Sequence, residues 1–196
     1  MEKLRPQDLY SLEEYARLRP SFREKIIAHK KNRQLAIGPN ATLLFEDRLT
    51  MQYQIQEMLR VERIFEPEGI RDELEAYNPL IPDGSNWKAT LLLEYPDSDE
   101  RRDALARLKG VESRVYVRIA GGDRIWAIAD EDLERSNEAK TSSVHFLRFE
   151  LAPAMAEAVR RGADVEVGID HHDYRHVVAT MPSAVRDSLA GDLIAR

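Results

Sequence analysis

The 196-residue sequence contains no cysteine. This absence excludes disulfides, thiolate zinc sites, cysteine-bound iron–sulfur clusters and a thiol nucleophile. The sequence also lacks an apolar run long enough to span a membrane, and its charged first residues lead into no apolar segment of the kind found in secretory signals. A cytoplasmic protein is therefore expected, and any iron–sulfur chemistry near it would belong to a partner.

The motifs of the common catalytic classes are missing as well. There is no Gly-x-Gly-x-x-Gly, no Gly-Lys-Ser/Thr phosphate loop and no Gly-x-Ser-x-Gly elbow. Ser142 and Ser143 closely precede His145, but neighbouring residues of a strand point to opposite faces, so no triad is expected among them. The sequence favours a non-enzymatic role and keeps an enzyme as the alternative.

Composition predicts one folded domain over residues 1–196. With 43% hydrophobic and 33% charged residues, the chain is apolar enough to bury a core of normal size. The net charge of −6 argues against a protein that coats nucleic acid, because phosphate contacts need an excess of cations. One basic segment, residues 17–33, stands out. It is interpreted as a solvated helix face or as a docking surface for a partner, and nucleic-acid binding through this helix is the third and least favoured alternative.

The first third of the chain reads as mostly helical. Ser11 and Glu14 form a capping-box pattern that begins a helix, and Pro20 is expected to end it so that a second helix starts at Ser21. A short β-hairpin should follow, with a turn at Gly38-Pro39-Asn40. Two further helices are predicted over Met51–Phe65, capped by Thr50, and over Ile70–Tyr77.

Beyond a turn-rich segment the hydrophobic period changes from helical to two. Segment 78–86 is a possible internal boundary between a helical and a sheet-rich part. The runs that follow are β-branched or aromatic and of strand length, and three helices separate or follow them. The pattern predicts an α+β fold whose sheet is mostly antiparallel, lies in the C-terminal two-thirds and has helices packed on it. The predicted strands are Trp87–Tyr95, Arg114–Ile119, Arg124–Ala129, Val144–Leu151, Val165–Ile169 and His176–Thr180.

The helix over Met51–Phe65 carries polar residues beside its apolar stripe. Gln52 and Gln56 are expected to face away from the core, whereas four residues at the flanks are expected to be partly buried. Buried polar groups need partners, so these four either lock the helix in place or form a binding surface. The candidate partner-binding residues are Tyr53, Gln54, Glu57 and Arg60.

Three of the five histidines fall in one predicted hairpin loop, Asp170–His176. Imidazole and carboxylate groups suit a divalent ion such as zinc, iron or manganese, so the loop is a candidate metal site at His171 and His176, with His145 or an acidic residue as the third ligand. Two alternatives stay open, a solvated turn and an acid–base role. Because alternate strand residues face oppositely, His171 and His172 chelate together only if the chain turns between them.

Four segments give the chain a resemblance to an uncharacterised bacterial family, the domain-of-unknown-function family 3501. They are Phe45–Arg48, Tyr53–Arg60, Val144–Phe149 and Asp170–Tyr174. The resemblance spans nearly the whole chain. His172 stands where a proline or another turn former would be expected, which weakens a three-histidine site.

The resemblance implies genes near those of rubrerythrin and of an iron–sulfur oxidoreductase subunit. It therefore implies a part in oxidative-stress defence, as an accessory protein that binds one of these redox partners. It assigns no catalytic residue. Oligomeric state and the identity of a metal do not follow from the sequence.

Overall fold

A computed structural model describes residues 2–133, 135–137 and 139–194. None of the helices in these ranges is both long and apolar enough to cross a membrane. The helices are α1 (Leu12–Lys30), α2 (Arg48–Glu62), α3 (Pro67–Tyr77), α4 (Ser98–Arg107), α5 (Pro153–Arg160) and α6 (Ser183–Ala190). The strands are β1 (Gln34–Ala36), β2 (Ala41–Glu46), β3 (Asn86–Leu93), β4 (Val115–Ile119), β5 (Arg124–Trp126), β6 (Ile128–Ala129), β7 (Val144–Glu150), β8 (Val165–His171) and β9 (Tyr174–Val178).

The strands form two antiparallel sheets, which confirms the α+β class. The first sheet has the order β1-β2-β3-β7-β6 and the second has the order β5-β4-β8-β9. The predicted N-terminal hairpin is present, and it is an integral part of the first sheet because β2 pairs along its full length with β3. Chain on both sides of segment 78–86 therefore shares one sheet.

The main core joins alternate residues of both sheets with residues of α4, α5 and α6. In β7, His145, Leu147 and Phe149 are buried on one face, whereas Val144, Phe146 and Arg148 are half-buried on the other. This is the period-two pattern of a strand with one face in the core. Two smaller apolar clusters hold α1, α2 and α3 together.

Helix α1 runs without interruption through Pro20, so the prediction of two helices is wrong. A mid-helix proline costs about 3 kcal/mol because it removes a backbone hydrogen bond. Residues on both sides of Pro20 pack against α2: the ring of Phe22 lies edge-on to those of Tyr15 and Tyr53, at centroid distances of 6.2 and 5.8 Å. This shared contact keeps the two halves in one helix.

Helix α2 also begins earlier than predicted. Its cap is Asp47 rather than Thr50, and the two residues bond reciprocally, each side chain to the other's backbone N–H at 2.9 Å. The helix ends at Glu62 because Arg63 adopts the left-handed conformation, with φ 57°.

Candidate functional site

The predicted histidine hairpin exists, with His172 and Asp173 as the turn between β8 and β9. His171 is buried, and its Nε2 lies 3.0 Å from the backbone oxygen of Lys109. Its Nδ1 accepts the Asp173 backbone N–H at 3.2 Å. A carbonyl only accepts, so the proton of a neutral His171 is on Nε2 and the Nδ1 lone pair faces the turn.

The turn brings three possible metal ligands together. Each of three residues, His171, His172 and Asp173, has one ligand atom within 4.8 Å of the ligand atoms of the other two. Among the described residues, this is the group of at least three such side chains that could hold a metal ion. His172 Nε2 is 2.8 Å from a carboxylate oxygen of Asp173. The other two residues of the predicted site are elsewhere: the ring of His176 packs on Tyr174 at 4.6 Å, and His145 belongs to the first sheet.

Glu57 of α2 is engaged within the protein. Its carboxylate accepts two hydrogen bonds from Arg19, at 2.8 and 2.9 Å, and one from the Tyr15 hydroxyl at 2.7 Å. The hydrogen bonds from Arg19 lower the pKa of Glu57 to about 2, against the opposing effect of burial. Burial, followed by the hydrogen bond to Glu57, raises the pKa of Tyr15. This carboxylate links α2 to α1.

The other polar residues of α2 divide between interior and surface. Gln56 was expected to face away, and this is wrong: it is fully buried and bonds both backbone groups of Tyr10, at 2.5 and 3.3 Å. Two hydrogen bonds make this burial possible. Tyr53 and Gln54 are half-buried, and Arg60 is exposed. Partner binding by the four predicted residues stays a prediction, and Arg60 is the most accessible of them.

The basic segment 17–33 contains two kinds of cation. Arg33 is buried against Asp192 at 2.5 Å and Arg19 binds Glu57. His29 is half-buried, with Nε2 2.6 Å from Asp47. The second kind lies in the C-terminal half of α1 and at its end. These four cations form no salt bridge within 4.0 Å in the part of the chain that the structure describes; they are Arg23, Lys25, Lys30 and Lys31.

An exposed isoleucine lies on the same side as three of these cations, and Lys25 points to another side. Ile27 is 46% exposed, and positions 23, 27, 30 and 31 share one side of a helix because they are spaced by three or four residues. We call these four residues the basic face of α1. It combines an apolar centre with three cations, and the exposed Glu24 lies on the same side, three residues before Ile27.

A polar cluster is buried around His145. Its Nδ1 lies 2.6 Å from Asp130 and its Nε2 lies 2.9 Å from the hydroxyl of Thr141, which is 2.9 Å from the hydroxyl of Ser136. An ionised carboxylate only accepts, so Asp130 holds a proton on Nδ1 and leaves Nε2 to accept the Thr141 proton. The cluster is thus a chain of hydrogen bonds from Ser136 to Asp130.

The reasoning from sequence did not find this cluster. Ser142 and Ser143 were expected to point in the alternating directions of strand residues. Thr141 and Ser142 instead lie in the loop preceding β7, and this loop folds back so that both residues contact the His145 ring. Asp130 reaches the ring from the end of β6 in a left-handed conformation, φ 48°. Aspartate tolerates the left-handed conformation better than most residues. This tolerance is the one feature of the sequence that could have indicated a turn at Asp130.

Residues 3–193 match the model of a protein family, DUF3501, which is described as a protein of unknown function. The chain belongs to this family. The match confirms the resemblance seen in the sequence, whereas the association of DUF3501 genes with redox genes stays a prediction. No curated protein matches the chain.

A solved structure shares the fold of this DUF3501 member. It is the crystal structure of a novel protein of unknown function from Burkholderia pseudomallei, 50% identical, with a TM-score of 0.94. The alignment covers 98% of this chain and 100% of that chain.

Proposed function

We propose that this DUF3501 protein is an accessory protein whose basic face of α1 binds an acidic surface of an iron–sulfur redox protein. The observation that carries the proposal is the set of cations without a salt bridge around Ile27, in a chain whose net charge is −6. In such an acidic chain, a cationic face selects partners whose surface is acidic. The apolar centre adds apolar surface that is removed from water when the partner docks. The family resemblance supports the class of partner and a role in oxidative-stress defence.

Charge reversal on this face is the first test. We expect Arg23→Glu combined with Lys30→Glu to weaken binding about tenfold or more, because repulsion replaces attraction at two positions of this face. The untagged chain is purified from its native host at low salt, and co-purifying proteins are identified by iron content and mass spectrometry. Wild-type binding should also weaken as salt increases.

A matched control reverses two exposed cations elsewhere, Arg71→Glu and Arg107→Glu, which leaves the net charge equal to that of the test variant. It should bind like the wild type. Recovery of the wild-type chain alone, or equal weakening in both variants, would contradict the docking face. Recovery of a rubrerythrin-type protein without an iron–sulfur subunit would contradict the partner chosen here.

A second proposed function is divalent-metal binding at the hairpin turn. A ligating histidine commonly donates its other ring N–H to a carbonyl, which fixes the tautomer. His171 has this arrangement, with Nε2 bonded to Lys109 and Nδ1 facing His172 and Asp173. A metal at Nδ1 would replace the 3.2 Å hydrogen bond from the Asp173 N–H.

Zinc added to untagged protein is expected to raise the melting temperature, since a ligand that binds only the folded state at 100 times its Kd adds about 2.7 kcal/mol. The increase should disappear in His172→Ala and in Asp173→Asn. His176→Gln is the control and should keep it, because His176 lies outside the group of three. Loss in His176→Gln alone would favour the ligand set predicted from the sequence, and no increase in the wild type would refute a site in this hairpin.

A further inference from the structure

The His145 cluster opens on a surface cleft. The cleft has a volume of about 250 Å³ and is lined by Glu112, Ser113, Ala129, Asp130, Arg135 and Ser136. His145 and Thr141 are fully buried behind it, whereas Ser136 is half-buried at its wall. The Ser136 hydroxyl is therefore accessible from the cleft, and hydrogen bonds through Thr141 connect it to the His145 imidazole, which is not accessible.

We propose that this cleft is a catalytic site for the transfer or hydrolysis of small acyl esters, with Ser136 as the nucleophile and Thr141, His145 and Asp130 as its proton relay. A serine hydroxyl is a weak nucleophile until a positioned base takes its proton. Here the base acts through one intervening hydroxyl: Thr141 accepts the Ser136 proton and passes its own to Nε2 of His145, over contacts of 2.9 and 2.9 Å.

Further polar groups lie close to the His145 ring. The backbone oxygen of Ser142 is 3.1 Å from Nε2, and a carboxylate oxygen of Glu112 is 3.8 Å from it. The Glu112 carboxylate also accepts hydrogen bonds from the hydroxyls of Ser136 and Thr141, at 3.4 and 3.3 Å. On the other side, Asp130 is held by the Phe146 backbone N–H at 2.9 Å and by Arg135 at 3.3 Å, so the ring keeps its orientation.

The reaction balances with no further co-reactant than water. Oγ of Ser136 bonds to the ester carbonyl carbon, the carbon–alkoxide bond breaks, and the proton held by His145 passes back through Thr141 to the alkoxide, which leaves as an alcohol. Water then attacks the acyl-serine and its proton passes through Thr141 to His145. That proton returns through Thr141 to Oγ of Ser136 as the acid leaves, which regenerates the Ser136 hydroxyl. Arg135, which lines the same cleft, supplies positive charge for the oxyanion. The volume of the cleft limits the acyl group to a small one.

Two probes test the site on the full chain, a fluorophosphonate that labels activated serines and p-nitrophenyl acetate as a small ester. We expect labelling at Ser136, located by mass spectrometry, and its loss in Ser136→Ala. Ser98→Ala is the matched control, because Ser98 is an exposed serine outside the cleft, and the variant should still be labelled at Ser136.

The relay is tested at Thr141, the hydroxyl that connects Ser136 to His145. Thr141→Val keeps its shape but removes the hydroxyl, and should lower the labelling rate by a factor of about 100 or more, the size expected for general base catalysis. Thr141→Ser should restore most of the rate. Asp130→Asn should lower it similarly, with a changed pH profile. Folded wild-type protein that neither labels nor hydrolyses the ester, or Ser136→Ala and Thr141→Val variants that react like the wild type, would overturn the proposal.

Discussion

Arg33→Met is expected to lower the free energy of unfolding by about 3–5 kcal/mol, the usual cost of removing one partner of a buried ion pair. The Arg33 guanidinium is 2.5 Å from Asp192, and it donates to the backbone oxygens of Phe45 and Glu46 at 3.0 and 3.1 Å. Asp192 is almost fully buried. The variant therefore leaves a buried carboxylate and two backbone acceptors without this partner, and urea unfolding at pH 7 measures the loss.

The same variant should respond to pH. Burial raises the pKa of Asp192 from 3.8 to about 6, although Arg33 opposes the increase. A folded pKa above the unfolded one means that the folded state binds the proton more tightly, so stability declines as pH rises from about 4 to 6. Without Arg33 the pKa should rise further, so the cost of Arg33→Met should be smaller at pH 5 than at pH 8. Arg23→Met, an exposed control, should change stability by less than about 0.5 kcal/mol; equal losses would refute the buried pair.

Glu57→Gln is expected to lower the free energy of unfolding by about 1–3 kcal/mol. The amide has nearly the shape of the carboxylate but no charge, so Arg19 and Tyr15 lose a charged acceptor. Urea unfolding of both proteins as a function of pH measures the effect. Because the folded pKa of Glu57 is lowered to about 2, its stabilisation is complete above the usual 4.5 and is lost as pH falls through about 2. The difference between wild type and variant should therefore shrink from pH 5 to pH 2.

Glu62→Gln is the control on the same helix. Glu62 is exposed and has no salt bridge among the described residues, so its loss should leave stability almost unchanged. If Glu57→Gln costs no more than this control, Glu57 does not lock α2 to α1. It would then be available for the partner binding predicted from the sequence.

Much of the fold follows from local pattern. The change of hydrophobic period near segment 78–86 and the turn residues of the hairpins predict the α+β class and the approximate position of each strand. Two errors have a tertiary cause. Pro20 remains inside α1 because Phe22 packs on α2, and Gln56 is buried because its amide finds both backbone groups of Tyr10. Neither contact is visible in the residues that surround it in sequence.

The candidate sites were less predictable, for reasons of geometry. The hairpin at His171 follows from turn chemistry, but the orientation of its ring depends on Lys109, 62 residues away. The His145 relay requires Asp130 and Thr141 to approach one ring from two loops, and one of them does so through a left-handed backbone. The sequence shows which residue types such a cluster contains, but it does not show that they meet around one ring.

The central position of β3 bears on how the chain folds during synthesis. This strand pairs with β2 on one side and with β7 on the other, so Ala89 is opposite Phe45, which is made long before it, and opposite Leu147, which is made long after it. Pairings between residues so distant in sequence form slowly, because a long loop must close first. A nascent chain that stops before β7 would expose a strand edge rich in leucine, and such edges are templates for aggregation. The ribosome must therefore release most of the chain before its first sheet can be completed.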